Sequence, residues 1–299
     1  MRFIKGLVFL VGLVCFIVGA VGVMWVINTQ EVRGSAAPGA IDITRTVPAA
    51  GIKSLNVSTD IGAIVFKPGS GSEITARLTG QVPESRKDEW TLTADTGANG
   101  TWNVRAANSN RLHFGFEFGE LVTAIVSGGF KTPLQLEISL PPQAFDTITV
   151  HTDTGRIQLG DMQAGTLDAS ASTGAIDLES FKGKDLRLHT NTGAISFKNV
   201  SATGQVAAST DTGRVAGSLA ELASPVTMET NTGAVSLDLP ADASAQLDLA
   251  TDVGKIDVAG SSGLSYQSKD RRHIIAKSGT AAYSVKLKTD TGHVSVNVR

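Results

Sequence analysis

The chain has 299 residues, of which 5% are aromatic and 32 are glycine, a composition that favours many short strands and turns over a helical bundle. Its formal net charge of −2 comes from 26 Lys and Arg against 28 Asp and Glu, and excludes the strongly basic surface typical of nucleic-acid-binding proteins. We therefore expect no DNA or RNA partner.

The first predicted element is an uncharged apolar run of 22 residues, Gly6–Ile27. As a helix it would be roughly 33 Å long, enough to cross a bilayer. A cleavable secretory signal is the alternative, but the apolar core of such signals is only about 7–15 residues long. Because Arg2 and Lys5 precede the run, the positive-inside rule places the N-terminus in the cytoplasm and the bulk of the chain outside the membrane. We predict a single-pass cell-membrane protein with residues 1–27 as cytoplasmic stub and anchor.

The rest of the chain divides by pattern into a linker and two β regions. Residues 28–40 are small and polar without a regular period, which is typical of a linker. Residues 41–150 alternate apolar and polar side chains irregularly and end near Pro141-Pro142, whereas residues 151–299 repeat regularly. Since the only cysteine, Cys15, lies in the apolar run, no disulfide stabilises these regions.

An internal repeat dominates the C-terminal half, with the text Thr-Asp/Asn-Thr-Gly and glycines spaced 19, 19, 20, 20, 21 and then 38 residues apart. The interval of 38 is twice 19, so we expect one coil around His273 that has lost its turn motif. A looser copy over residues 58–66 suggests that the first β region extends the same architecture. The predicted structural turn glycines are Gly155, Gly174, Gly193, Gly213, Gly233, Gly254 and Gly292.

Apolar residues recur seven and five positions before each glycine and two positions after it, as in Ile148, Val150 and Ile157. Side chains of a strand alternate between its faces, so these columns share one face, and stacked coils would merge them into one core. The pattern predicts an all-β fold, a parallel β-solenoid (β-helix) of about 20-residue coils. A series of β-hairpins is the alternative, but it does not require constant spacing.

Polar columns accompany the glycines, and each has a structural interpretation beside a functional one. An Asp/Asn/Ser column, as at Asp153, is expected to bond its own turn; a Ca²⁺ ladder would need more carboxylates per coil. The threonines, as at Thr152, resemble ice-binding arrays, but their parity places one column inside. His151 and His189 are two coils apart, about 9.6 Å, too far to share one zinc ion. We predict no metal, no cofactor and no catalytic residues.

Three departures from the repeat are the candidate partner contacts. The first is a glycine-rich stretch with four phenylalanines, which either fills the core or caps the first coil, or forms an exposed loop that contacts a membrane or a partner. The second is a basic stretch, which is either a solvated loop or a contact for anionic lipid or wall polymer. The third is Val294–Val298, which we expect to be an unpaired terminal strand available for self-association. The residues of the first two sites are Phe114, Phe116, Phe118, Phe130, Lys269, Arg271, Arg272 and Lys277.

The repeat text, for example HTDTGRIQL at residues 151–159 and KTDTGHVSV at residues 288–296, resembles the bacterial "putative adhesin" family of domains of unknown function. The resemblance runs from about Ile41 to Arg299. It implies a β-solenoid at the cell envelope, and some relatives are linked to envelope-stress signalling. It implies no catalytic residues.

These observations favour a non-enzymatic, adhesin-like binding or structural protein of the bacterial envelope, anchored through residues 6–27 and in contact with wall polymer, a membrane protein or itself. An envelope-stress sensor working through a membrane partner is the alternative. A carbohydrate-active β-helix enzyme would need converging acids and bases, which the sequence does not assemble.

Overall fold

A computed structural model describes residues 38–109, 132–260 and 264–299. Eighteen strands and one short 3-10 helix, Glu84–Glu89, make up these residues, so the fold is all-β. The strands are β1 Pro38–Pro48, β2 Ser54–Ile61, β3 Ala63–Pro68, β4 Glu73–Pro83, β5 Trp90–Thr96, β6 Thr101–Asn108, β7 Gln135–Leu140, β8 Phe145–Thr154, β9 Ile157–Thr173, β10 Ile176–Thr192, β11 Ile195–Thr212, β12 Val215–Leu219, β13 Val226–Thr232, β14 Val235–Leu239, β15 Ala245–Ala259, β16 Ser265–Lys269, β17 His273–Lys277 and β18 Tyr283–Val298.

The chain forms two units. The smaller comprises residues 1–41, 80–90 and 108–133, and its described part includes the 3-10 helix and the buried Trp90. Within it, Gln81 N donates to Thr132 O over 2.9 Å and Ser109 N donates to Glu89 O over 2.8 Å. In the described ranges no helix is long and apolar enough to span a membrane. The predicted anchor, residues 6–27, lies outside those ranges.

The larger unit is a stack of parallel coils. Strand β9 pairs in parallel with β10, as Ile157 with Ile176, and β10 pairs with β11, as Ile176 with Ile195. Strand β2 pairs with β8, so residues of the first β region belong to the same stack. The three columns expected inside are buried throughout the interior coils, because neighbouring coils cover both sides of each apolar side chain.

The order of the stack differs from the order of the chain. Along one side the layers are β6, β2, β8, β9, β10, β11, β13, β18 and β15. The last strand, β18, therefore lies between β13 or β14 on one side and β15 on the other. The prediction that Val294–Val298 is an unpaired edge is wrong: Val294 pairs with Val235 and with Ile256.

The predicted degenerate coil around His273 is also wrong. Strands β16 and β17 form an antiparallel hairpin, and β17 lies antiparallel to the first part of β15, as Leu249 opposite Ile274. An interval of 38 residues thus contains a hairpin and a return strand in place of two coils. The hairpin covers Leu247 and Leu249, which are fully buried.

The turn glycines form a continuous column together with Gly62. A Cβ built on Gly193 would overlap the carbonyl oxygen of Gly174, and each other predicted glycine meets the carbonyl of the glycine in an adjacent layer in the same way. Their φ angles of 145–158° are positive, a backbone conformation that residues with a Cβ rarely adopt. The requirement for glycine therefore has two causes: the positive φ that the turn was expected to need, and the close approach of stacked backbones.

The inner threonines support this column. Thr190 Oγ1 donates to Gly174 O over 3.0 Å, and Thr289 Oγ1 donates to Gly233 O over 2.9 Å. Thr210, Thr230 and Thr251 make the equivalent bond, and all are buried. The parity argument from the sequence is confirmed, because this threonine column satisfies backbone carbonyls inside the stack and offers no surface array.

Candidate binding groove

A groove opens in the larger unit beside three prolines that lie at strand ends. Pro68 ends β3, and Pro141-Pro142 follow β7. Pro68 still pairs with Leu140, but proline has no N–H to donate to a neighbouring strand, and the β7 ladder ends before Pro141-Pro142. Between β8 and β9 the pairing begins only at Phe145 with Ala164. Within the described residues, Asp161–Gln163 consequently have a paired strand on the β10 side alone.

The floor of the groove is apolar. Phe66, Phe145, Leu159 and Met162 line it and are 1–5% exposed, so their contacts hold the floor in place without a ligand. The cavity has a volume of about 620 Å³, within the range of small-ligand sites. A second, smaller cavity of about 440 Å³ lies near Phe197 and Leu239.

The rim of the groove is polar and carries more acid than base. Lys67 Nζ bonds Glu137 at 2.5 Å, Asp161 accepts a bond of 2.6 Å from Ser180, and Asp177 pairs with Arg156 at 3.2 Å. Three glutamines complete the rim: Gln143, Gln158 and Gln163. A glutamine side chain offers two donors and an acceptor, which suits hydroxyl and amide groups of a ligand.

The histidines pair with neighbouring polar side chains outside the groove. His151 Nδ1 is 2.9 Å from Ser170 Oγ and its Nε2 is 3.0 Å from Asp153 Oδ1. This order of groups resembles a nucleophile, base and acid, but the side chains of His151 and Asp153 are 45% and 60% exposed. Two repeats further, His189 contacts Ser209 and Asn191 in the same way. The repetition indicates a ladder of surface hydrogen bonds.

Among the described residues no group of three His, Cys, Asp or Glu side chains could hold a metal ion. The Asp column contains one pair of neighbours that the sequence did not foresee. Because β18 lies beside β15, Asp290 stands next to Asp252. Lys288 Nζ contacts Asp290 Oδ1 at 3.1 Å, and this bond raises the pKa of Lys288 above its usual value.

The structure places part of the predicted partner sites. Lys269 ends β16, 4.5 Å above the ring of Tyr266, and Arg271 and Arg272 follow it in the exposed turn before β17. These three cations share one hairpin tip, whereas Lys277 lies at the opposite end of β17. The other predicted contacts, Phe114, Phe116, Phe118 and Phe130, lie outside the described residues.

Sequence reasoning did not find the groove. Pro141-Pro142 were interpreted as the end of the first β region, although their missing donors also predict an interrupted ladder. The apolar floor gave no signal of its own, because Leu159 and Phe145 fit the alternating core pattern of the coils.

A family model, Toastrack DUF4097, matches residues 42–297. The chain belongs to this family. The resemblance read from the repeat text is thereby confirmed. No curated protein matches.

Solved structures resemble the chain at low identity. One is described as a "putative cell adhesion protein" from Clostridium sporogenes, 12% identical over 87% of this chain and 100% of that chain, with a TM-score of 0.39. Another, a "putative adhesin" from Bacteroides fragilis, is 12% identical over 86% and 97%, with a TM-score of 0.41. A "putative adhesin" from Parabacteroides distasonis is 9% identical over 87% and 97%, with a TM-score of 0.38. The family assignment rests on the match over residues 42–297 and not on these structures.

Proposed function

We propose that this Toastrack-family chain is a non-enzymatic binding protein of the bacterial cell envelope, anchored in the membrane, with its solenoid outside the cell membrane. The observation that carries the proposal is the groove: a preformed apolar floor with a glutamine rim, beside the edge of Asp161–Gln163. Such a surface suits a ligand that has both apolar faces and hydrogen-bonding groups, because packed apolar side chains form its floor and polar side chains its rim.

The anchor and the location rest on the sequence. The uncharged run Gly6–Ile27 is long enough to cross a bilayer, and Arg2 and Lys5 place its start in the cytoplasm. A solenoid held at the outer face of that membrane meets the polymers of the cell wall first. We therefore propose wall glycan as the ligand class, since sugar rings present apolar faces to the floor and hydroxyl and amide groups to the glutamines.

The test is co-sedimentation of the full-length protein, kept in detergent, with isolated wall sacculi. We expect the double variant Gln158→Ala, Gln163→Ala to bind at least about fivefold more weakly, because losing two hydrogen bonds costs about 1 kcal/mol or more. Thr149→Ala, a half-exposed position on β8 outside the groove, is the matched control and should bind like the wild type.

Equal binding by the groove variant and the wild type would refute the groove as the glycan site. A photoreactive group at Gln163 that crosslinks a membrane protein, and no glycan, would favour the sensor function instead.

A further inference from the structure

The outermost layer of the stack, β15, is covered along only part of its length. Strand β17 pairs with Gln246–Ala250, and Thr251 N donates to Arg272 O over 2.9 Å. Beyond that point, Gly254–Ala259 pair with β18 on one side. In the described part of the chain, no strand pairs with their other side.

The apolar core is correspondingly uncovered at this place. In the interior coils, the residue two positions after the turn glycine is fully buried: Ile157 and Val235 are 0% exposed. The equivalent residue of the outermost layer, Ile256, is only half-buried, as is Val258. Val253 is 60% exposed. The end of the core and an open strand edge therefore coincide at Gly254–Ala259.

The direction of the free backbone groups follows from the interior coils. There the turn glycine and the residue two positions later donate to the next layer, as Gly155 N to Thr173 O over 2.9 Å and Ile157 N to Ala175 O over 2.8 Å. The equivalent positions in the outermost layer are Gly254 and Ile256. Since N–H and C=O of one strand residue point to the same side, both groups of these residues face the open edge.

We propose that a second copy of this chain pairs with this edge in antiparallel fashion, about a two-fold axis through Ile256. In that register Ile256 exchanges two backbone bonds with Ile256 of the second copy, and Gly254 does so with Val258. Lys255 then stands opposite Asp257 of the second copy, and the symmetry makes this pair twice. The register thus places hydrogen-bonding residues opposite one another and joins the two cores.

The charges of Lys255 and Asp257 indicate that the partner at the open edge of β15 is a second copy of this chain. The segment Lys255-Ile256-Asp257 is complementary to itself only when two strands run antiparallel about Ile256. Among the described contacts Lys255 has no acidic partner within 4.0 Å, whereas Asp257 Oδ2 lies 3.4 Å from His293 Nε2. None of the layers from β9 to β18 has opposite charges at these two positions; their residue pairs are Arg156 and Gln158, Ala175 and Asp177, Ala194 and Ser196, Arg214 and Ala216, Ala234 and Ser236, and His293 and Ser295.

The experiment measures dimerisation of the full-length protein in detergent by sedimentation equilibrium. The change Lys255→Glu puts a carboxylate opposite Asp257 in both symmetric pairs, and we expect the dissociation constant to rise about tenfold. Asp257→Lys should have the same effect. The double variant Lys255→Asp, Asp257→Lys restores opposite charges and should return the dissociation constant to within about twofold of the wild type.

Disulfide crosslinking tests the antiparallel register about Ile256. In a Cys15→Ser background, Ile256→Cys should form an intermolecular disulfide, because hydrogen-bonded antiparallel pairs have Cα atoms about 5.5 Å apart. Ser236→Cys, on the interior strand β14, is the control and should remain reduced.

A monomer at every concentration, or a dimer that the single charge variants leave unchanged, would overturn the proposal. So would a crosslink from Ile256→Cys to another protein only. The groove variants Gln158→Ala, Gln163→Ala should dimerise normally, so the glycan site and the pairing edge can fail independently.

Discussion

The interior coils and the outermost coil of the stack carry the same repeat text and reach different environments. Ile157 in an interior coil has a layer on both sides and is 0% exposed, whereas Ile256 in β15 has β18 on one side only and is half-buried. The position of a coil in the stack, and not its local repeat sequence, therefore decides whether a residue of the apolar column is buried or exposed.

The stack order also determines which chain segment becomes the end. Strand β18 closes the gap between β14 and β15, and the hairpin of β16 and β17 covers half of the layer that remains outside. The chain terminus is thus protected from edge-to-edge association, while an internal strand retains the free edge.

The largest expected effect tests the close approach of the interior coils. Gly193→Ala places a Cβ against the Gly174 carbonyl oxygen, a backbone atom that cannot move without disturbing the ladder, and also imposes a φ of 149° on a residue with a Cβ. We expect a loss of about 3 kcal/mol or more in the free energy of unfolding, measured by urea denaturation. Gly160→Ala is the control: the nearest atom to its Cβ is Phe66 O at 3.6 Å, and the change should stay within about 0.5 kcal/mol. Similar losses in both variants would contradict the close-approach argument.

The second prediction compares the same column inside and at the end. Ile157→Ala removes a fully buried side chain and should lower the free energy of unfolding by about 2–5 kcal/mol. Ile256→Ala should cost about 1 kcal/mol in the monomer, because its side chain is already in partial contact with water. Equal costs, measured by the same urea titration at low protein concentration, would show that the end of β15 is covered.

The repeating parts of the fold could be predicted from the sequence. Alternation about each glycine predicted which column is buried, and both Val235 and Thr210 lie where the parity placed them. Such predictions succeed because the side-chain period of a strand is a local property that stacking preserves.

The order of the layers could not be predicted from the same text. Any coil with an apolar column can stack on any other, so β13 can accept β18 as readily as β15. The hairpin at residues 265–277 has no turn glycine, and the spacing of 38 residues suits two coils as well as a hairpin and a return strand. The groove was not predicted for a related reason. The residues of its floor follow the same alternating pattern as the core, and only the interrupted strand pairing at Pro141-Pro142 opens the cavity.

The third prediction compares the change in stability that Thr→Val causes at two threonines of the same column. Thr210→Val removes the bond from Oγ1 to Gly193 O and should cost about 1 kcal/mol. The hydroxyl of Thr152 is buried without a hydrogen-bond partner in the described structure, so Thr152→Val should be neutral or should stabilise by up to about 1 kcal/mol. Thermal unfolding of the two variants in parallel provides the measurement. Destabilisation of the same size in both would show that Thr152 has a partner.

The smallest expected effect concerns the opposite end of the stack, where β1 and β4 are joined by charge. Arg77 Nε and Nη2 donate to the two carboxylate oxygens of Asp42 over 2.8 and 2.6 Å, and these bonds lower the pKa of Asp42 below its usual value. A carboxyl with a lowered folded-state pKa contributes stability above its unfolded pKa and loses it as the pH falls through the folded value. The contribution is small, because both side chains are about half exposed and water screens them. Asp42→Asn should therefore lower Tm slightly at pH 7, by about 1 °C, and by progressively less as the pH falls through the acid range. A Tm difference that stays constant down to pH 2 would mean that packing of the Asp42 side chain, and not its charge, joins these strands.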